Sequence, residues 1–142
     1  MYLKELSLFQ FKNHTESNFQ FNEKINCFVG NNGAGKTNIL DAIHYLSLTK
    51  SYFNHIDSNN ILFDHDFFMI KGIFNNNDSN DEILCNYSLN SGKILKKNQK
   101  KYKRFSDHIG SYPIIIISPT DSNLITEGSD TRRKYLDSSI SQ

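Results

Sequence analysis

Apolar and polar positions fall into blocks whose period changes along the chain. From Tyr2 to Phe9 they alternate loosely, with Leu6 and Leu8 on one face, which predicts a half-buried strand. Phe19 and Phe21 mark a second short strand, followed by a turn at Asn22–Lys24. Lys24–Val29 is rich in β-branched and aromatic residues and predicts a short buried strand. From Thr37 to Leu48 the period lengthens: Ile39, Leu40, Ile43 and Leu46 form one apolar face of a helix. Thr49–Asp64 is polar and irregular and predicts an exposed connection. Phe67–Phe74 and Glu82–Leu89 then read as strands separated by a turn at Asn75–Asp81, and Ile94-Leu95 opens a third.

The last third is less regular. Ser106–Ile109 predicts a short helix. Ile114–Ile117 is a continuous β-branched run, the pattern of a fully buried core strand. It stops at Ser118-Pro119, because proline lacks an N–H donor and restricts its neighbour. Beyond Gly128, Ser129 suits a helix N-cap and Asp130 the first turn. Leu136 and Ile140 supply that helix's inner face. No internal repeat is visible. The chain thus divides into strands, a loop and a helix over 1–48, a β meander over 65–104, and a core strand with a helix over 112–142.

Between the third strand and the first helix lies Gly30-Asn31-Asn32-Gly33-Ala34-Gly35-Lys36-Thr37, a complete G-x-x-x-x-G-K-[ST] sequence. Glycines let the backbone approach a polyphosphate, and successive N–H groups cradle the anion. The helix amino end adds unpaired donors and a favourable dipole. Lys36 is placed for the β- and γ-phosphates of ATP, and the Thr37 hydroxyl for Mg²⁺. Four fixed positions match by chance in roughly one chain of this size in a few hundred. The strand–loop–helix context is what makes the match specific.

Composition narrows the picture further. The chain has 142 residues, of which 37% are hydrophobic and 13% aromatic, enough for one domain with a core. No apolar run approaches the ~20 residues a spanning helix needs. Without a basic, then apolar, leader at the N-terminus, the sequence points to the cytoplasm. Cys27, in the expected buried strand, and Cys85 lack zinc-site spacing and read as reduced thiols. Net charge is +1, yet Lys93–Arg104 holds seven basic residues and no acid. That stretch reads either as a DNA phosphate contact, with Tyr102 and Phe105 stacking on bases, or as an edge hairpin whose lysines block pairing. Arg132 and Arg133 diverge on a helix and read as surface ion-pair residues. His65 between two aspartates reads as a polar loop, and no nucleophilic triad is discernible. Phe19, Phe21, Phe67, Phe68 and Phe74 read as core.

Three segments carry a family resemblance. Gly30–Ile43, with Asn32-Gly33 ahead of Gly35-Lys36-Thr37 and then Asn38, Leu40 and Asp41-Ala42-Ile43, is similar to the ABC-type ATPase heads of SMC-like DNA repair proteins. The opening Leu6-x-Leu8-x-x-Phe11-Lys12-Asn13-His14 resembles the RecF family. So does the closing Ser118-Pro119-x-Asp121, Leu124-Ile125, Gly128-Ser129, Arg132-Arg133-x-Tyr135-Leu136-Asp137 and Ile140-Ser141-Gln142. The resemblance implies an α/β fold: a P-loop NTPase core of the ABC-type ATPase head, incomplete, with an antiparallel β subdomain. It adds Asn38, Lys12 and Asn13 to Gly30–Thr37 as nucleotide-binding residues. It further implies ATP-dependent dimerisation, binding to single-stranded or gapped DNA, action with RecO and RecR, and a role in recombinational repair and the SOS response. Lys12 stands where the family usually has arginine, and lacks the planar fork for bidentate contacts.

The chemistry of hydrolysis needs more than the loop. Phosphoryl transfer requires Mg²⁺ and an oriented water as well as phosphate positioning. Ile114–Ile117 is the hydrophobic candidate for a Walker B strand but ends at Ser118-Pro119, without an acid pair, and Asp121 lies four residues beyond. Walker B and signature motifs are therefore lacking, and the expectation is the N-terminal part of a head that binds nucleotide without turning it over. Two other readings stay open: a binding module that never hydrolyses, and another SMC-like head, such as that of an overcoming-lysogenisation-type nuclease.

Overall fold

The computed structural model describes residues 1–76, 79–119 and 128–140. Its centre is one six-stranded antiparallel sheet of order β2-β1-β3-β4-β5-β6. The strands are β1 (Tyr2–Phe11), β2 (His14–Gln20), β3 (Phe67–Asn76), β4 (Ser79–Ser88), β5 (Gly92–Lys97) and β6 (Lys100–Lys101). Helix α1 (Lys36–Leu48) lies on one face, and α2 (Ser129–Ile140) follows near the end of the chain. Single 3-10 turns cover Asp57–Asn60 and Phe105–Asp107. Because Leu6 pairs with Gly72 across β1 and β3, the sheet runs through both the 1–48 and the 65–104 segments.

Alternation drives the sheet. Leu6, Leu8, Phe68, Ile70, Phe74, Ile83, Cys85 and Leu95 share its covered face and are buried. Ile39, Ala42, Tyr45 and Leu46 of α1 pack against them. The helix therefore buries a face centred on Tyr45 rather than Leu40, which is 44% exposed. Phe11, Tyr45 and Phe68 meet edge-to-face, with ring centroids 5.2 to 6.2 Å apart. Phe67, expected in the core, points to the other face and stacks on Phe9 at 5.7 Å. Phe19 and Phe21 are half-buried and gather with Phe28 beside β2.

Two expected strands do not pair. Neither Lys24–Val29 nor Ile114–Ile117 joins a ladder among the described residues. Several of their apolar side chains stand open: Ile25 is 80% exposed, Val29 91%, Ile115 73% and Ile117 81%, while Phe28, Ile114 and Ile116 are half-buried. An apolar run signals a preference for burial, but a strand also needs a backbone partner on at least one flank. Cys27 is accordingly exposed, and the buried thiol is Cys85, which burial pushes up to about 12 and keeps unreactive. Leu136 on α2 is exposed. Ser129 is the first residue of that helix rather than a cap before it. Asp121 and Leu124-Ile125 lie outside the described residues.

Polar contacts fix α1 at its far end. His108 Nε2 donates to the Leu46 carbonyl (2.6 Å), and Ser47 Oγ donates to the Tyr112 carbonyl. His44 Nδ1 lies 2.9 Å from the Lys50 carbonyl. Desolvation holds both imidazoles below their ordinary pKa. The unfolded chain therefore takes up these protons first, so their stabilising effect is full above the ordinary imidazole range and lost as pH falls through it. The melting temperature is expected to be flat above about pH 7 and to decline below about pH 6.5, with His108→Gln showing a shallower decline.

Gly72 sits in mid-sheet beneath α1. A Cβ there would come 2.6 Å from Leu46 Cδ1 and 3.1 Å from Leu3 Cδ1. One methyl can displace the Leu46 tip, but a branched side chain cannot fit. Gly72→Val is expected to cost about 1–3 kcal/mol in denaturant unfolding, with Gly72→Ala well below that.

Candidate nucleotide-binding site

The loop between Gly30 and Lys36 emerges beside the β1–β2 turn and enters α1. Gly33 and Gly35 have φ of 83° and 90°, the left-handed region that glycine adopts without strain. At Gly35 a second constraint applies, since a Cβ would sit 2.5 Å from His14 Nε2 and 2.7 Å from Asn13 Oδ1. Asn31–Ala34 and Thr37 are exposed, Lys36 and Asn38 are half-buried, and Gly35 is buried. Asn32, Gly33, Gly35, Lys36, Thr37 and Asn38 line an open cleft of about 270 Å³. Among the described residues, the N–H groups of Gly33, Gly35, Lys36 and Thr37 have no acceptor. Lys36 Nζ donates to the carbonyls of Gly30 (2.7 Å) and Asn31 (2.8 Å).

The β1–β2 turn holds the loop from behind. Asn13 Nδ2 donates to the Gly33 carbonyl (3.0 Å), and Asn38 Nδ2 donates to Asn13 Oδ1 (2.7 Å). His14 Nε2 lies 3.2 Å from the Gly35 carbonyl and its Nδ1 2.9 Å from Ser17 Oγ. A proton on Nε2 satisfies both contacts, with the Ser17 hydroxyl donating to Nδ1. Two of the expected site residues, Asn13 and Asn38, thus brace the loop backbone. His14 does the same and was missed by sequence reasoning, although it ends the Phe11-Lys12-Asn13-His14 motif.

Lys12 turns away from the cleft. Its Nζ lies 2.5 Å from Asp41 Oδ2, a fully buried carboxylate in α1. Asp41 also accepts from Ser51 Oγ (2.6 Å) and the Tyr52 N–H (2.7 Å). Lys12 lies 5.6 Å from the Phe53 ring centroid and 5.7 Å from that of Phe11. Its charge is therefore committed to the helix, and a phosphate contact would require breaking a buried pair.

Of the other flagged residues, Arg133 makes an exposed ion pair with Asp130 at 3.8 Å. His65 Nδ1 approaches the Phe63 carbonyl at 2.8 Å. Among the described residues, no group of three or more His, Cys, Asp or Glu side chains is placed to hold a metal ion. No described helix is long and apolar enough to cross a membrane.

A glycine loop with free donors, capped by a lysine at the head of a helix packed on a sheet, defines a P-loop nucleotide-binding head. The chain belongs to the AAA domain family, whose model matches residues 5–141. It is similar to the DNA replication and repair protein RecF of Flavobacterium johnsoniae, with 53% identity over 142 residues, the whole of this chain and 40% of that protein. RecF of Bacteroides thetaiotaomicron is 48% identical over 143 residues, again matching this whole chain and 39% of its own length. Among solved structures, the recombination mediator protein RecF-ATPrS of the RecFOR pathway gives a TM-score of 0.90 at 35% identity, covering 99% of this chain and 38% of that one. The chain spans about 40% of the length of the curated relatives it matches. The RecF resemblance and the ABC-type head fold therefore hold along the whole chain.

Removing the Asp41 carboxylate would strand Lys12 in a largely buried site. Asp41→Ala is expected to lower unfolding stability by about 3–5 kcal/mol, and Lys12→Met combined with Asp41→Leu to restore a substantial part of it. Denaturant midpoints of the single and double variants check this. A double variant no more stable than Asp41→Ala would show that the pair is not the unit of stability.

Proposed function

We propose that this chain binds ATP and Mg²⁺ as the nucleotide-binding part of a RecF-type DNA replication and repair protein. The observation that carries the reading is the set of unpartnered N–H groups of Gly33, Gly35, Lys36 and Thr37 beside the Lys36 ammonium. These donors match a polyphosphate, and the glycines leave room for its close approach. Gly30, Asn31, Asn32, Gly33, Ala34 and Gly35 form the cradle. Lys36 pairs with the terminal phosphates, and the Thr37 hydroxyl is the protein's ligand for Mg²⁺. Asn13 and Asn38 keep the cradle in shape, and Lys12 holds the turn that carries Asn13.

The named relatives support the wider setting. The full protein would act in the cytoplasm, dimerise when ATP is bound, and engage single-stranded or gapped DNA in recombinational repair and the SOS response. RecO and RecR are the partners this reading implies. Asp41, the carboxylate nearest the loop in sequence, is already committed to three donors, so it is not placed to orient an attacking water. Binding without turnover is the activity proposed for these residues alone.

Titration of the chain with a fluorescent ATP analogue and Mg²⁺ is expected to show binding that Lys36→Ala weakens at least about tenfold, or ~1.4 kcal/mol. Phosphate release is expected to stay at background. A steady ATPase rate abolished by Lys36→Ala would refute the absence of turnover, and equal affinity in the variant would refute the site.

A further inference from the structure

The basic stretch Lys93–Arg104 separates into two groups with different work. Lys93 is a strut: it donates to the Thr49 carbonyl (2.6 Å), pairs with Asp57 (2.9 Å) and lies 4.9 Å from the Tyr45 ring centroid. Lys97 is another, paired with Asp81 at 2.9 Å, and Asp81 also accepts from the Tyr112 hydroxyl. Lys96, Lys100, Lys101, Lys103 and Arg104 form no ion pair with the described residues, and all but Lys96 are exposed.

The register makes this arrangement costly. β5 and β6 place Lys96 opposite Lys101 and Lys97 opposite Lys100. Directly opposed like charges sit about 5 Å apart at Cβ and destabilise a sheet. Asp81 offsets the Lys97 charge, but among the described residues no acid pairs with Lys96 or Lys101. The hairpin is nevertheless held firmly. Its turn residues Asn98 and Gln99 have φ of 47° and 68°, the geometry that matches strand twist. Asn98 N–H donates to the Glu82 carbonyl (2.8 Å), and Glu82 N–H donates back to Asn98 Oδ1 (2.8 Å). A depression of about 360 Å³ lies among Lys97, Asn98, Lys100, Lys101 and Tyr102.

An edge strand of two residues already resists pairing by its shortness, so edge protection alone does not call for several lysines. Several uncompensated ammonium groups on a fixed hairpin break the local rule for sheets, and such breaks mark functional sites. We propose that the β5–β6 hairpin docks the phosphate backbone of a nucleic acid, with Lys96, Lys100 and Lys101 as the contacts. The proposal rests on the DNA-repair reading above and adds the surface. Contact through Lys96, Lys100 and Lys101 is to backbone phosphates; Tyr102 is half-buried, its ring centroid 5.1 Å from that of His108, and is not free to stack, while Phe105 is exposed beside Lys93. Binding is therefore indifferent to sequence and steep in salt.

The test is fluorescence anisotropy of labelled single-stranded and gapped oligonucleotides with this chain, between about 50 and 200 mM salt. Replacing Lys96, Lys100 and Lys101 together by Gln is expected to lower affinity more than tenfold at low salt. The slope of log affinity against log salt should become shallower by about 2–3. The same variant is expected to keep its ATP affinity and a melting temperature no lower than wild type, since repulsion is removed. Wild-type binding with an unchanged slope in the variant would overturn the hairpin proposal and leave the DNA-repair reading intact. No wild-type binding at low salt, with or without ATP and Mg²⁺, would overturn both. Equal competition by polyglutamate would overturn the nucleic-acid assignment in favour of an acidic protein partner.

Discussion

One buried ion pair, Lys12 to Asp41, sets the geometry on which the loop depends. Asp41 belongs to the first half of α1 and Lys12 to the turn after β1, so the pair clamps that half of the helix onto the sheet. The adjacent residues Asn13 and His14 then fall against the carbonyls of Gly33 and Gly35. Backbone position in the loop follows from the turn, and the turn follows from the clamp. A buried carboxylate with one charged and two neutral donors tolerates no rotation without loss of a partner. Precision at the phosphate cradle is therefore supplied by residues that need not touch a ligand.

Two opposite demands meet at Gly35. Its left-handed conformation starts the helix, and its missing side chain admits His14 and Asn13. Residues on both sides of the loop thus constrain it, with the cleft on one side and the β1–β2 turn on the other. The same economy of space recurs at Gly72, where the sheet lets α1 approach. The helix is held close at mid-length by packing and at its carboxyl end by His108 and Ser47.

Much of this was legible in the sequence because it is local. The phosphate loop, the helix after it, and the hairpins of β3, β4 and β5 all announce themselves in short windows of period or motif. Long-range choices were less legible. Nothing near Lys12 in sequence indicates that its charge is matched by Asp41, and Tyr45 outcompetes Leu40 for the core because Phe11 and Phe68 are there to receive it. The two apolar runs, Lys24–Val29 and Ile114–Ile117, read as buried strands, and the structure overturns both expectations. Pairing is a property of neighbours, and among the described residues those neighbours are lacking. The basic stretch was visible as charge, but its division into struts and free cations required the register of β5 and β6.

Lys36 has one further consequence, for the kinetics of ligand capture. Its ammonium already bridges the carbonyls of Gly30 and Asn31, so the loop is ordered by its own side chain. An arriving polyphosphate need not organise the loop, which removes an ordering cost from association. It must instead draw the ammonium off two carbonyls, exchanging charge–dipole hydrogen bonds for charge–charge ones. The barrier is a single side-chain rearrangement on the nanosecond scale, far faster than the encounter of protein and ligand at ordinary concentrations. Capture is then limited by diffusion and fit, and residence time, not arrival, becomes the quantity that changes in the loop would tune.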